Sequence, residues 1–181
     1  MNRPAIFLDR DGTIIAQKAD IIQVRDLRVL PRVPEALAKL SKLGFVLVVV
    51  TNQPVIGKGL ITKKGVGRLN EALNQSLAKR GAEIDAFYVC PHRYQDHCGC
   101  RKPKTLLIKK AIKRFSIDTR RSFFIGDDVR DIETGRRIRV KTVLVRTGNG
   151  RKKSEFFHTK PDMTAKDLFS AATKIKKLIK K

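Results

Sequence analysis

Five short apolar runs, separated by longer segments of helical period, restrict this chain to a small set of architectures. The runs are Ala5–Leu8, Phe45–Val50, Phe87–Val89, Phe123–Ile125 and Thr142–Val145. Phe45–Val50 is the most apolar and β-branched, as a strand buried on both faces would be. Strands that alternate with helices build βα units and a parallel sheet. Pro34–Leu43 reads as a helix begun by proline and stopped at Gly44. Thr62–Lys79 places Val66, Leu69, Leu73 and Leu77 on one stripe ahead of Gly81. Leu106–Phe115 and Val129–Arg137 are two further helices. Thr164 is the expected cap of a last helix whose apolar face is Leu168, Ala172, Ile175 and Ile179. The expected fold is therefore α/β, a Rossmann-like parallel sheet flanked by helices.

A chain of 181 residues with 41% hydrophobic composition fills one domain of the usual size, so residues 1–181 read as one unit. No stretch reaches the roughly 18 to 20 apolar residues that span a bilayer. Met1-Asn2-Arg3-Pro4 leads into a strand-like run rather than a signal peptide, so the expected location is the cytoplasm, with no membrane partner and a monomeric state. Thr147–Lys160 is polar, carries Gly148, Gly150 and Arg151-Lys152-Lys153, and reads as a surface loop.

Forty Lys and Arg against 17 Asp and Glu give a formal charge of +23, a field that attracts anions without naming them. A small phosphorylated molecule and a nucleic acid are both admissible. With no Trp and two Tyr, stacking platforms for single strands are lacking, so nucleic acid is the less favoured partner.

The chemistry concentrates at strand ends. The first run leads into Asp9-Arg10-Asp11-Gly12-Thr13, the second into Thr51-Asn52-Gln53, the fourth into Gly126-Asp127-Asp128 with Asp131 beyond. Asp11-Gly12-Thr13 taken alone is good turn chemistry. A parallel sheet, however, brings all three ends to one edge, where open α/β sheets place their ligands. Crowded carboxylates repel, and a cation among them relieves that repulsion. Separately, Cys90-Pro91-His92 and Cys98-Gly99-Cys100 put three thiols and an imidazole within eleven residues, the donor set of a closed tetrahedral zinc site. His97 could replace His92 in that set.

Together, Asp9-Arg10-Asp11-Gly12-Thr13, Thr51-Asn52, Lys102 and Gly126-Asp127-Asp128 resemble, in order, the four motifs of the haloacid-dehalogenase (HAD) superfamily. Gln53-Pro54, Cys90-Pro91-His92, Cys98–Pro103 and Val145–Gly148 further resemble its D,D-heptose 1,7-bisphosphate phosphatases and their histidinol-phosphatase relatives, a small and nearly capless group with a zinc loop, here residues 90–100. The resemblance implies Asp9 as nucleophile, Asp11 as proton donor and acceptor, and Thr51, Asn52 and Lys102 gripping the phosphate. It implies Arg101 and Gln53, with Lys102, as substrate contacts. Mg²⁺ would sit on the Asp9 carboxylate, the Asp11 carbonyl and Asp127, with Asp128 and Asp131 as second-rank candidates for its shell. Zn²⁺ would be held by Cys90, His92, Cys98 and Cys100. The implied reaction is hydrolysis of the C7 phosphate of D-glycero-D-manno-heptose 1,7-bisphosphate. Histidinol phosphate, a polynucleotide 3′-phosphate and a non-catalytic zinc-bearing nucleic-acid module are the alternatives. Pro54-Val55, and the short interval between His92 and Cys98, depart from many relatives at the substrate mouth and the zinc loop.

Overall fold

A computed structural model describes residues 2–151 and 159–180. Within them lie β1 (Ala5–Leu8), α1 (Val33–Lys42), β2 (Val46–Asn52), α2 (Pro54–Gly57), α3 (Lys63–Ala78), β3 (Ala86–Cys90), α4 (Leu106–Phe115), β4 (Phe123–Gly126), α5 (Val129–Arg137), β5 (Lys141–Val145), β6 (Met163–Ala165) and α6 (Leu168–Ile179). The strands form one sheet in the order β3-β2-β1-β4-β5-β6, and every pairing is parallel. The chain winds outward from β1 to β3, then returns past β1 and winds the other way. The order reverses beside β1, which opens a crevice at the carboxyl ends of β1, β2 and β4.

Side chains alternate across the sheet with period two, so each strand feeds two cores. Ile6, Leu8, Leu47 and Val49 pack with residues of α1, α3 and α6 in one layer, while Ala5, Phe7, Val46, Val48 and Val50 meet Leu107, Ile108 and Ala111 of α4 in the other. Phe7 and Phe124 stack across the β1–β4 pair with centroids 6.2 Å apart. Full burial of a Leu or Ile side chain stabilises by roughly 1.5–3 kcal/mol, which is what holds the helices on the sheet.

All five expected strands form. A sixth, β6, was not expected, because Met163-Thr164-Ala165 has no apolar run to mark it. Thr164 therefore lies in a strand and does not cap α6; Asp167 does, its carboxylate accepting from the Ser170 amide at 2.7 Å. Leu168, Ala172 and Ile175 of the expected stripe are buried, but Ile179 at the helix end is exposed. Thr62 caps α3, its hydroxyl accepting from the Gly65 amide at 3.0 Å, and α1 stops ahead of Gly44, at φ +83°, as expected. The polar Thr147–Lys160 segment is described only in part, with residues 152–158, including Lys152 and Lys153, outside the described residues. Its first part is not a detached loop: Gly148–Arg151 form a 3-10 turn, and Gly150 is buried. No helix among the described residues is long and apolar enough to cross a membrane.

Candidate active site

The crevice beside β1 holds a polar cavity of about 180 Å³ lined by, among others, Asp9, Asp11, Thr51, Lys102 and Asp127. One carboxylate oxygen from each of Asp9, Asp127 and Asp131 falls within 4.8 Å of the other two, and all three residues are buried. Lys102 reaches this group from the turn before α4. Its Nζ donates to Asp9 Oδ1 at 2.5 Å and to Asp131 Oδ1 at 2.7 Å. Burial pushes the Asp9 carboxyl up to about 7; Lys102 opposes this, while Asp131 and Asp11 reinforce it. Burial also lifts Asp127 to about 8, aided by Asp9 and Asp131 and opposed by the Asn149 amide. Burial works to discharge Lys102, but Asp131 and Asp9 outweigh it and hold the ammonium protonated well above the usual lysine range.

Asp11 belongs to a different set of contacts. Its carboxylate accepts from Gln53 Nε2 at 2.6 Å, from Thr51 Oγ1 at 3.4 Å, and from Arg10 Nε and Nη2 at 3.3 and 3.2 Å. Asp9 and Asp11 thus stand two residues apart with separate cationic partners, Lys102 and Arg10. Asp128, a candidate for the metal shell, turns away from the acid group. It caps α5 through the Arg130 amide, and its two oxygens take Arg130 Nε and Nη2 at 2.8 and 2.9 Å. Asp131 fills the place instead, because it lies one helical turn further on and faces Lys102. Asn52 does not reach toward the cavity with a free amide; its Oδ1 accepts from the Lys102 amide at 3.0 Å and its Nδ2 donates to the Lys102 carbonyl at 3.3 Å. Arg101 lines the cavity but spends Nη1 on the His92 carbonyl at 3.1 Å.

Beside the cavity, Cys90, Cys98 and Cys100 bring their sulfurs to 3.1–3.6 Å of one another, and His92 Nδ1 lies 3.2 Å from Cys100 Sγ and 3.8 Å from Cys90 Sγ. No disulfide joins them. Four donors around a tetrahedral zinc with bonds of about 2.3 Å stand roughly 3.8 Å apart, so this is a slightly contracted version of that arrangement. The sequence put His92 in this set with His97 as a possible replacement; the fold gathers His92 with the thiols, whereas His97 sits at φ +42° and is not in the group. As free thiols the three differ sharply. Burial resists ionisation of Cys98, but the amides of Cys100 and Arg101 and its thiol neighbours bring it down to about 7. Burial and the neighbouring Cys100 thiol push Cys90 up.

Residues 99–171 match the family model described as HAD-hydrolase-like. The D-glycero-beta-D-manno-heptose-1,7-bisphosphate 7-phosphatase of Photorhabdus laumondii is 39% identical over 153 residues, which cover 80% of this chain and 81% of that one. The D-glycero-D-manno-heptose-1,7-bisphosphate 7-phosphatase of Chlorobaculum tepidum is 37% identical over 185 residues, covering 93% and 92%. This chain belongs to the heptose-bisphosphate phosphatase family. A crystal structure of the D,D-heptose 1,7-bisphosphate phosphatase from B. bronchiseptica, complexed with magnesium and phosphate, matches with a TM-score of 0.90 at 27% identity, over 97% of this chain and 99% of that one.

In this member of the heptose-bisphosphate phosphatase family, several residues that shape the site carry no chemical signature of their own. Arg10 is fully buried and links Asp11 to Asn70 Oδ1 on α3 at 2.9 Å. Gly12, at φ +86°, leaves room for Asp127: a Cβ there would stand 2.3 Å from Asp127 Oδ2. Gly148 is under the same constraint at 2.2 Å, and the next amide, Asn149 N, donates to that oxygen at 2.7 Å. The polar Thr147–Gly150 stretch is therefore part of the site. Only the position of Arg10 between two acids, and the glycines themselves, hinted at any of this. The cysteine loop is tied to the cavity by three further bonds: Gln53 N to the Cys90 carbonyl at 2.8 Å, Gly57 N to the Pro91 carbonyl at 2.9 Å, and the Arg101 bond to His92.

Proposed function

We propose that this chain hydrolyses the C7 phosphate of D-glycero-D-manno-heptose 1,7-bisphosphate through an aspartyl phosphate on Asp9. The observation that carries the chemistry is the placement of Asp9 between Lys102 and Asp127 at the mouth of the β1 crevice, with Asp11 held apart from it. The substrate follows from the family's heptose-bisphosphate phosphatases. The whole chain acts as one catalytic unit, and its three unpaired, crowded cysteines fit the reducing cytoplasm.

The donors fit the implied metals. Four carboxylates, Asp9, Asp11, Asp127 and Asp131, face two cations, Lys102 and Arg10, so full ionisation would leave two uncompensated negative charges on hard oxygen ligands, which a divalent ion would match. Asp9, Asp127 and the Asp11 carbonyl would hold Mg²⁺, with Asp131 beside them, and the ion would supply charge neutralisation between these acids and the incoming phosphate. Cys90, His92, Cys98 and Cys100 would hold Zn²⁺ with no open position, so it would organise the loop.

In the first step Asp9 attacks phosphorus, the bond to the C7 oxygen breaks, and Asp11 gives that oxygen a proton. In the second a water, deprotonated by Asp11, attacks the aspartyl phosphate and regenerates Asp9. Phosphoryl transfer depends on positioning and charge stabilisation, which Lys102 supplies next to the nucleophile while Thr51 and Gln53 orient Asp11. Arg101, at the cavity wall, is the group suited to the second phosphate, since its planar fork binds two oxygens at once.

The test is a substrate panel with Mg²⁺: heptose bisphosphate, histidinol phosphate and an oligonucleotide with a 3′-phosphate. The expected kcat/KM preference for heptose bisphosphate exceeds about tenfold, or ~1.4 kcal/mol in the transition state. Equal turnover of histidinol phosphate would overturn the substrate assignment. Activity that survives Asp9→Asn would overturn the covalent route.

A further inference from the structure

The catalytic edge does not account for most of the +23 charge. The edge of the sheet opposite the site is where β1, β4 and β5 begin. Their leading loops are stitched into one surface: Arg3 N donates to the Ser116 carbonyl at 3.0 Å, Asp118 N to the Arg3 carbonyl at 2.9 Å, Ala5 N to Ser122 Oγ at 2.9 Å, and Lys141 N to the Ser122 carbonyl at 3.2 Å. Arg3, Arg120, Arg121, Arg137, Arg139 and Lys141 are all exposed on this surface. Among the described residues none of the six makes an ion pair; the nearby Arg136 does, with Asp162 at 3.9 Å. Three neighbouring strands enter within about 10 Å, so the segments that carry these six cations lie side by side.

Favourable alignment with helix dipoles explains Arg137, in the last turn of α5, and little else. Arg120 and Arg121 lie in a 3-10 turn, and Arg3, Arg139 and Lys141 in loops or at a strand start. Arg139 stands at φ +59°, a backbone region where glycine is favoured and a side chain is strained. A charged side chain occupies a place where the backbone alone would favour none. The large apolar side chains that are exposed among the described residues, Ile22, Val24, Leu60, Tyr94, Leu106, Leu178 and Ile179, all lie elsewhere. This edge thus offers neither an apolar wedge for lipid nor an aromatic platform for single strands. What remains is a strip of arginines whose planar forks match phosphodiester oxygens.

We propose that this edge docks double-stranded nucleic acid through its phosphates, without reading sequence, while the catalytic edge stays open on the far side of the sheet. The inference does not depend on which sugar phosphate the catalytic site hydrolyses. The test uses the full chain loaded with Mg²⁺ and Zn²⁺ and a fluorescein-labelled RNA duplex, followed by anisotropy across a salt series. One variant combines Arg120→Ser, Arg121→Ser, Arg139→Gly and Lys141→Ser. The control removes four cations elsewhere, Lys166→Ser, Lys176→Ser, Lys177→Ser and Lys180→Ser. The first should weaken binding by at least about tenfold and flatten the slope of log K against log salt by about three to four, while the control changes it far less. Arg139→Gly alone, which relieves backbone strain, should keep or raise Tm while weakening binding. Phosphatase kcat/KM should be unchanged in all three. Equal losses in the two quadruple variants would show diffuse charge and overturn the proposal. So would absence of duplex binding by the unmodified chain, or capture of phosphatidylserine vesicles in its place.

Discussion

Asn52→Ala is the perturbation that best separates positioning from substrate contact at this site. Asn52 ends β2 and holds the backbone of Lys102 from both sides, accepting from its amide at 3.0 Å and donating to its carbonyl at 3.3 Å. Each such bond contributes roughly 0.5–1.5 kcal/mol, so losing both should cost about 2 kcal/mol. For a chain of this size that is a drop in Tm of about 6 °C. The same loss frees the turn that carries the Lys102 ammonium to Asp9, and a displacement of about 1 Å in such a group lowers kcat by about a hundredfold. Asn52→Asp keeps the acceptor and loses the donor, so it should fall between the two in both readouts. The assay is a paired measurement of Tm and kcat with KM on the same preparations. A large fall in kcat with Tm unchanged would mean that Asn52 acts on the substrate and that its grip on Lys102 is incidental. A fall in Tm with kcat intact would mean that Lys102 needs no such support.

Three further outcomes follow from the same geometry. In the metal-free protein Asp9 and Asp127 titrate at about 7 and about 8 against an ordinary 3.8, so their protonated forms favour the fold. That contribution is complete below about pH 4 and is lost as pH rises through 7 and 8, at about 1.4 kcal/mol per pH unit for each proton; Mg²⁺ should therefore raise Tm more at pH 8 than at pH 5, and equal increments would contradict the placement of the ion. Gly148→Ala drives a Cβ to 2.2 Å from Asp127 Oδ2, and the Mg²⁺ concentration for half-maximal rate should rise by about tenfold or more, read from a metal titration. Stripping zinc, or Cys98→Ser, should lower Tm and kcat together, and full kcat in protein shown by metal analysis to hold no zinc would break the link between loop and cavity.

The sequence carried the frame of the site better than its internal wiring. β-branched runs and helix stripes are periodic signals, and α4 and α5 fall on their expected residues for that reason. β6 escaped because three residues with one buried apolar side chain make no period. Asp9, Asp11, Asp127 and the cysteine loop were legible because carboxylates at strand ends and clustered thiols have few other uses. Asn52 and Asp128 were legible as residues of the site but not in their contacts, since an amide or carboxylate binds whatever the fold sets beside it. For Asn52 that is a backbone fifty residues away, and for Asp128 an arginine two residues on. Arg10 and Asn70 stayed hidden because their partnership spans sixty residues and leaves no spacing to read.

Two acids only two residues apart can have different tasks only if something keeps their environments apart, and here the two layers of the fold do so. Lys102 arrives from the turn before α4, whose apolar face packs on one side of the sheet, and meets Asp9. Arg10 is tied to Asn70 on α3, which packs on the other side, and meets Asp11. A neutral amide steadies each: Asn70 accepts from the Arg10 guanidinium itself, while Asn52 holds the backbone from which the Lys102 side chain extends. With Asp131 claimed by Lys102, Asp127 is left as a buried carboxylate with the Asn149 amide as its partner and no ion pair among the described residues, and that is where an added divalent ion would gain most. Under the proposed mechanism, the metal would take the electrostatic deficit that remains once Lys102 is paired with Asp9 and Arg10 with Asp11.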